Sequence, residues 1–274
     1  MAKKQAIGIF DSGYGGLSVL KEIKKVLPEY DYIYLGDNAR TPYGNRSFET
    51  VYEFTLQSVK KLFELNCHLV ILACNTASAK ALRNIQQKNL PVIAPNRRVL
   101  GVIRPVTEII GQFTKTNQVG VLGTTGTIQS LSYPTEINKF FPHIVVTQQA
   151  CPMWVPLIEN NEYLSEGADF FVKKYLDELF DKNKNIDTII LGCTHYPLLI
   201  DKIKKYTPQS VTILSQGEIV ANSLKNYLQR HPEIDSKCTK NAHCKYYTTD
   251  SAEMFNRAAS IFLDEQLQAE HIQL

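Results

Sequence analysis

The sequence predicts an α/β protein made of two related, doubly wound parallel-sheet domains facing each other across an active-site cleft. Short apolar runs of strand length alternate with longer segments of helical periodicity, the pattern of βαβ units and a parallel sheet. The pattern then starts over: Gln118-Val-Gly-Val-Leu-Gly123 resembles Ala6-Ile-Gly-Ile-Phe-Asp11, and Thr188-Ile-Ile-Leu-Gly-Cys193-Thr194 resembles Leu69-Val-Ile-Leu-Ala-Cys74-Asn75-Thr76. The offsets are similar, 112 positions from Ile7 to Val119 and 119 from Cys74 to Cys193. Each half therefore carries a cysteine at the end of an inner strand.

Ala6 to Phe10 reads as the first strand, and Leu17, Leu20, Ile23 and Leu27 then share one helix face. Tyr32 to Leu35 is the next strand; Phe54, Val59, Leu62 and Phe63 mark a helix; Leu69 to Ala73 is the third strand and Ala77 to Ile85 the helix after it. A boundary is expected near Gly101, after Pro91, Pro95 and Asn96-Arg97-Arg98, and a second near Ile213. Beyond it lies a helix at Glu218 to Leu228, and Asp250 or Ser251 caps a last helix running through Met254, Phe255, Ala259 and Phe262. The expected division is residues 1–100 plus 214–274 on the Cys74 side and 101–213 on the Cys193 side, with the tail packed back on the first half.

Composition narrows the function classes. With 274 residues, 44% of them apolar, the chain can build two ordinary cores. No apolar run approaches the roughly 18 residues of a membrane span. The start, Met1-Ala2-Lys3-Lys4-Gln5, has no signal-peptide apolar region, so a cytoplasmic location is expected. A net charge of +3 is too small to argue for nucleic acid, and Lys21, Lys24 and Lys25 read as a solvated helix face. Six cysteines without repeated Cys-x-x-Cys spacing do not make a zinc framework. Cys238, His243 and Cys244 could supply up to three metal ligands, but no fourth is evident. Most of the cysteines should be reduced, inert core residues.

Ligands of parallel α/β sheets bind beyond the carboxyl ends of the strands. Asp11-Ser12-Gly13, Asp37 to Gly44, Cys74-Asn75-Thr76 and Cys193-Thr194-His195 fall there. Asn75 or Thr76, and Thr194 or His195, can cap the helices that follow, whose free N–H groups suit a carboxylate and lower a nearby thiol pKa. Two thiols at equivalent places suggest one on each wall of a cleft. Inverting a stereocentre needs that arrangement: one base takes the α-proton from one face, and an acid delivers a proton to the other. No pyridoxal-lysine or flavin motif is present, so threonine hydroxyls, Asn75 and first-turn N–H groups would have to stabilise the carbanion. Asp11-Ser-Gly-Tyr-Gly-Gly16 is not a dinucleotide fingerprint; a tight turn beside a carboxylate explains it better. His68, His143 and Trp154 read as structural.

These residues resemble the aspartate/glutamate racemase superfamily, and within it the glutamate racemases. The resemblance covers nearly the whole chain and rests on Gly8 to Leu17, Gly36 to Gly44, Ala73 to Ala77, Gly123 to Ile128, Cys151 to Glu159 and Gly192 to Pro197. It implies two α/β domains, no cofactor, a homodimer, and interconversion of L- and D-glutamate, with D-glutamate then used to build peptidoglycan. Cys74 and Cys193 match the family's catalytic cysteines, and Asp11, Glu159 and His195 its assisting residues. Asp11, Ser12, Pro42, Tyr43, Gly44, Asn75, Thr76, Thr124, Thr127, Thr194 and His195 match positions around substrate. His195, following Cys193-Thr194, favours glutamate over aspartate. The stretch Ala94 to Leu100 departs from the family by its length and basic character, which bears on the hinge. Three other readings stay open on the residues alone: a racemase for aspartate or another small acidic amino acid, a thiol redox protein pairing Cys74 with Cys193, and a non-catalytic binder of acidic amino acids.

Overall fold

The computed structural model describes residues 5–263 and 266–274; residues 1–4, at the start read above for a signal peptide, lie outside them. Ten strands form two sheets among the described residues: β1 Ile7–Asp11, β2 Tyr32–Gly36, β3 Leu69–Leu72, β4 Arg98–Gly101, β5 Gln118–Gly123, β6 Val145–Ala150, β7 Thr188–Gly192, β8 Thr212–Leu214, β9 Cys244–Thr248 and β10 Ala269–His271. The first sheet runs β10-β9-β2-β1-β3-β4 and the second β6-β5-β7-β8. Every pairing between these strands is parallel. Strands β1, β2, β3 and β7 are buried throughout, as expected of sheets covered on both faces.

The two sheets share one winding. β1 pairs with β2 on one side and β3 on the other, and β5 pairs with β6 and β7 in the same way. The order reverses between β1 and β3 and again between β5 and β7, and such switch points are where open α/β sheets bind ligands. Cys74 follows β3 and Cys193 follows β7, so the internal repeat puts the two thiols at equivalent switch points.

Some elements differ from expectation. The basic stretch before Gly101 is the edge of the first sheet: β4 pairs with β3, and the Arg97 guanidinium lies 4.9 Å over the Phe63 ring while donating to the Phe63 carbonyl. The helix expected from Ala77 to Ile85 divides into Asn75–Lys80, Leu82–Asn84 and a π-helical turn, Ile85–Asn89. The Gln216–Arg230 helix buries Val220, Ala221, Leu224 and Leu228 in one core with Leu17, Leu20 and Ile23 of the Gly16–Val26 helix. Ser251 caps the Ala252–Ala259 helix through its hydroxyl, and Phe262 lies past the helix end. Trp154 is fully buried, edge-on to Tyr196 at 4.7 Å, and His143 is exposed with its ring edge-on to Phe141. Among the described residues no helix is long and apolar enough to cross a membrane, and no group of three His, Cys, Asp or Glu side chains converges as a metal site. Cys238 is buried against Ile234, while His243 is largely exposed beside Asp31.

Asp187 ties the entry of β5 to β7. It accepts from the Thr114 hydroxyl at 2.6 Å and from the N–H groups of Lys115 and Thr116 at 2.6 and 2.7 Å. Burial alone would raise its acid, but these hydrogen bonds overcome it and hold the carboxyl at about 2. Asp187→Asn is expected to cost about 2 kcal/mol at neutral pH. The unfolded value is about 3.9, so the stabilisation is complete above that and disappears as pH falls through about 2. Urea unfolding of both proteins should show the gap narrowing with acid; a gap independent of pH would count against this carboxylate.

Candidate active site

The pocket between the two sheets is built from strand ends. Beyond β1 the chain turns sharply: Gly13 donates its N–H to Asp11 Oδ1 at 2.8 Å, and the Gly16–Val26 helix follows. The turn also brings Gly15 against the opposite sheet, where a Cβ would stand 2.4 Å from His195 Nδ1 and 2.4 Å from Thr194 Oγ1. Only a residue without a side chain fits there.

Beyond β3, Cys74 caps its own helix. Its Sγ accepts from the Ala77 N–H at 3.4 Å and lies 3.4 Å from Ser12 Oγ. The cap is thus the cysteine, not Asn75 or Thr76. Burial pushes the Cys74 thiol up to about 12, the Asp11 carboxylate adds to that, and the hydrogen bonds from Ser12 and Ala77 only reduce it. The expected lowering by a helix N-terminus does not prevail, because the helix has six residues and the thiol is shut away from water. Asp11 is fully buried, and burial raises its acid as well.

Beyond β7, Cys193 Sγ lies 3.8 Å from His195 Nδ1, and His195 Nε2 lies 3.1 Å from Glu159 Oε1. Burial works against a charged His195, yet Cys193 and Glu159 raise its acid well above the ordinary imidazole value. A proton on His195 is thus favoured by both of its neighbours, Cys193 and Glu159. Thr194 donates to Asp11 Oδ2 at 3.4 Å, joining the two thiol neighbourhoods.

Hydroxyls close the other side. Thr76 and Thr124 stand 2.9 Å apart and Thr127 lies within 3.3 Å of both. A cis Thr41–Pro42 bond shapes the loop that carries Tyr43 and Gly44 to the pocket. Tyr43 donates to Asp37, and the Gly44 carbonyl accepts from Gly126 N–H at 2.7 Å, which clamps this loop of the first sheet to the second.

Ser12, Pro42, Tyr43, Gly44, Cys74, Asn75, Thr76, Thr124, Cys193, Thr194 and His195 all line the pocket. Asp11, Thr127 and Glu159 stand behind the wall and reach it through Thr194, Thr76 and His195. Thr41, inside the Asp37 to Gly44 cluster, also lines it, and so do Asn45, Cys151, Pro152, Val155 and Pro156, which the sequence motifs do not single out as site residues. Their signal was positional: the first two flank Pro42 to Gly44, and the others fall in the Cys151 to Glu159 segment. No Lys or Arg is among the described residues that line the pocket. Of the other cysteines, Cys67 and Cys238 have thiols that burial pushes up to about 12.

The Asp/Glu/Hydantoin racemase family model matches residues 7–224. The chain is 42% identical over 275 residues to glutamate racemase from Carnobacterium sp. (strain St2), covering 99% of each chain. To that from Enterococcus faecalis it is 41% identical, covering 100% of this chain and 98% of the relative. Among solved structures, a glutamate racemase isoform from Bacillus anthracis superposes with a TM-score of 0.89 at 36% identity, covering 99% of this chain and 98% of that one. The Francisella tularensis glutamate racemase in complex with D-glutamate gives 0.87 at 32% identity, covering 98% of each.

Proposed function

The chain belongs to the Asp/Glu/Hydantoin racemase family, and on that premise we propose that it is an isomerase interconverting L- and D-glutamate through Cys74 and Cys193. One observation carries the mechanism: two thiols at equivalent switch points line one pocket, each with its own polar helpers. A thiolate on one wall takes the α-proton, the carbon keeps the electron pair, and the thiol on the other wall delivers its proton to the opposite face. The thiol and thiolate roles are then exchanged, ready for the reverse reaction. The hydroxyls of Ser12, Thr76, Thr124 and Thr194 and the Asn75 amide offer donors to carboxylate charge as it grows. The thiolate of Cys74, disfavoured by burial, is a strong base once formed, and the substrate ammonium brings a compensating positive charge. Protonated His195, anchored by Glu159, is the counter-charge for a Cys193 thiolate.

Both thiols, their helpers and the donors come from this chain, so the step is written without a cofactor. The proposal includes the division 1–100 plus 214–274 against 101–213, a homodimer, the cytoplasm as location and D-glutamate for peptidoglycan as the product's use.

Each thiol faces one side of the substrate. Cys74 is assigned the α-proton of D-glutamate with Asp11 as its helper, and Cys193 that of L-glutamate with His195. Circular dichroism should show either enantiomer relaxing to the racemate, with solvent deuterium entering the α-carbon in heavy water. The enantiomers have equal free energy, so kcat/KM falls equally in both directions in any variant. Primary isotope effects with α-deuterated substrates should nonetheless shift more for D-glutamate in Asp11→Asn and for L-glutamate in His195→Asn. Saturable binding without α-proton exchange would sink the isomerase. Identical shifts for both enantiomers would sink only the assignment of helpers.

A further inference from the structure

A chain of buried polar groups stands behind Asn75, reaching from the pocket to the segment that follows β8. The Tyr133 hydroxyl donates to Asn75 Oδ1 at 2.8 Å, and Gln216 Nε2 donates to the Tyr133 oxygen. Tyr133 is fully buried, Asn75 is 2% exposed and Gln216 4%. The three come from different places. Asn75 begins the helix after β3, Tyr133 lies on the Ser132–Phe140 helix following β5, and Gln216 opens the helix after β8. The phenol is held tightly: a Cβ on Gly192, the residue before Cys193, would stand 3.2 Å from Tyr133 Cε2 and 3.4 Å from its oxygen. Among the described residues Asn75 Nδ2 has no protein partner, although Asn75 lines the pocket.

We propose that Tyr133 and Gln216 are positioning residues that fix the polarity of Asn75, so that its amide N–H₂ and not its carbonyl faces the substrate carboxylate. The inference rests on the racemase reading of the pocket. A phenol has one proton to give. Burial pushes Tyr133 well above its ordinary range, so that proton stays on. If it goes to Asn75 Oδ1, the phenol oxygen accepts from Gln216 and Asn75 Nδ2 is left for the ligand. In the reverse sense Gln216 accepts from Tyr133, Tyr133 accepts from Asn75, and a carbonyl oxygen meets the carboxylate. The forward sense leaves Gln216 Oε1 without a partner among the described residues, and turning the amide over would put its N–H₂ in that same place. A carboxylate on Asn75 Nδ2 gains a charge-assisted hydrogen bond, which favours the forward sense. Other roles for Asn75 as a donor need only Asn75; this one needs all three residues.

A double-mutant cycle on turnover tests it. Tyr133→Phe is expected to lower kcat/KM about fivefold, mostly through KM, since it removes one hydrogen bond that orients a binding group. In an Asn75→Ala background the same change should alter kcat/KM by less than about twofold, because nothing is left to orient. Melting temperature should fall in both backgrounds, as a purely structural role also requires. Equal losses of kcat/KM in both backgrounds, or no loss beside wild-type Asn75, would overturn the relay. Gln216→Leu, expected to act in the same direction about two- to threefold, runs through the same cycle if Tyr133→Phe does not fold. A wild-type chain that turns over neither enantiomer would overturn the reaction and the relay with it.

Discussion

Cys74→Ser and Cys193→Ser are each expected to abolish racemisation in both directions, by about 10³-fold or more. The substitution changes one atom and leaves the strand ends alone. A hydroxyl would face the same neighbours, Ser12 and Ala77 at position 74 and His195 at position 193. What is lost is proton-transfer capacity, since a serine hydroxyl is a far poorer base than a thiolate near neutral pH. The loss must appear from L- and from D-glutamate alike, because inversion uses both walls in every turnover. A redox protein pairing the two thiols would give a different pattern, with two free thiols lost on mild oxidation. Near-normal turnover in either serine variant, measured by circular dichroism with either enantiomer, would end the two-thiol mechanism.

Gly15→Ala is expected to lower kcat/KM by about 10²-fold or more without unfolding the chain. Gly15 has φ −58° and ψ −35°, values any residue adopts, so the backbone carries no penalty for a side chain. The penalty comes from across the cleft, where the new methyl would lie 2.4 Å from both His195 Nδ1 and Thr194 Oγ1. His195 is held between Cys193 and Glu159 and Thr194 reaches Asp11, so neither can retreat without breaking the contacts that define the site. Parallel measurement of kcat/KM and of the thermal transition separates a displaced site from a lost fold. Wild-type activity in Gly15→Ala would mean that the two walls are farther apart in solution.

Much of the site was legible because parallel sheets place their chemistry at strand ends. Runs such as Leu69-Val-Ile-Leu announce a strand, and the polar residues just beyond it, Cys74-Asn75-Thr76, then have one place to go. The repeat was legible for the same reason, since buried central strands keep similar apolar composition. Strands at or next to the sheet margins were not: β4, β8, β9 and β10 are short or partly exposed and lack a continuous apolar run. Arg97 and Arg98 disguised β4 as a linker, though their charges sit at the sheet margin. The thiol environment of Cys74 was misjudged because sequence shows a helix start but not the depth at which the sulfur is buried. Tyr133 and Gln216 gave no signal, as their role depends on three segments meeting.

The absence of Lys and Arg among the described lining residues bears on how the pocket would tell glutamate from its shorter homologue. A cationic side chain attracts a carboxylate over several ångströms, since Coulomb energy falls only as the inverse of distance. Such an anchor forgives a chain one methylene short. Hydroxyl and amide donors do not, because a hydrogen bond weakens steeply beyond its narrow range of length and angle. With aspartate in the pocket, donors at one end would be left desolvated and unpaired, and sites that bind by hydrogen bonds reject the ill-fitting ligand more sharply than apolar ones do. Substrate length is then measured by the hydroxyl and amide donors, with His195 already engaged by Glu159 and Cys193.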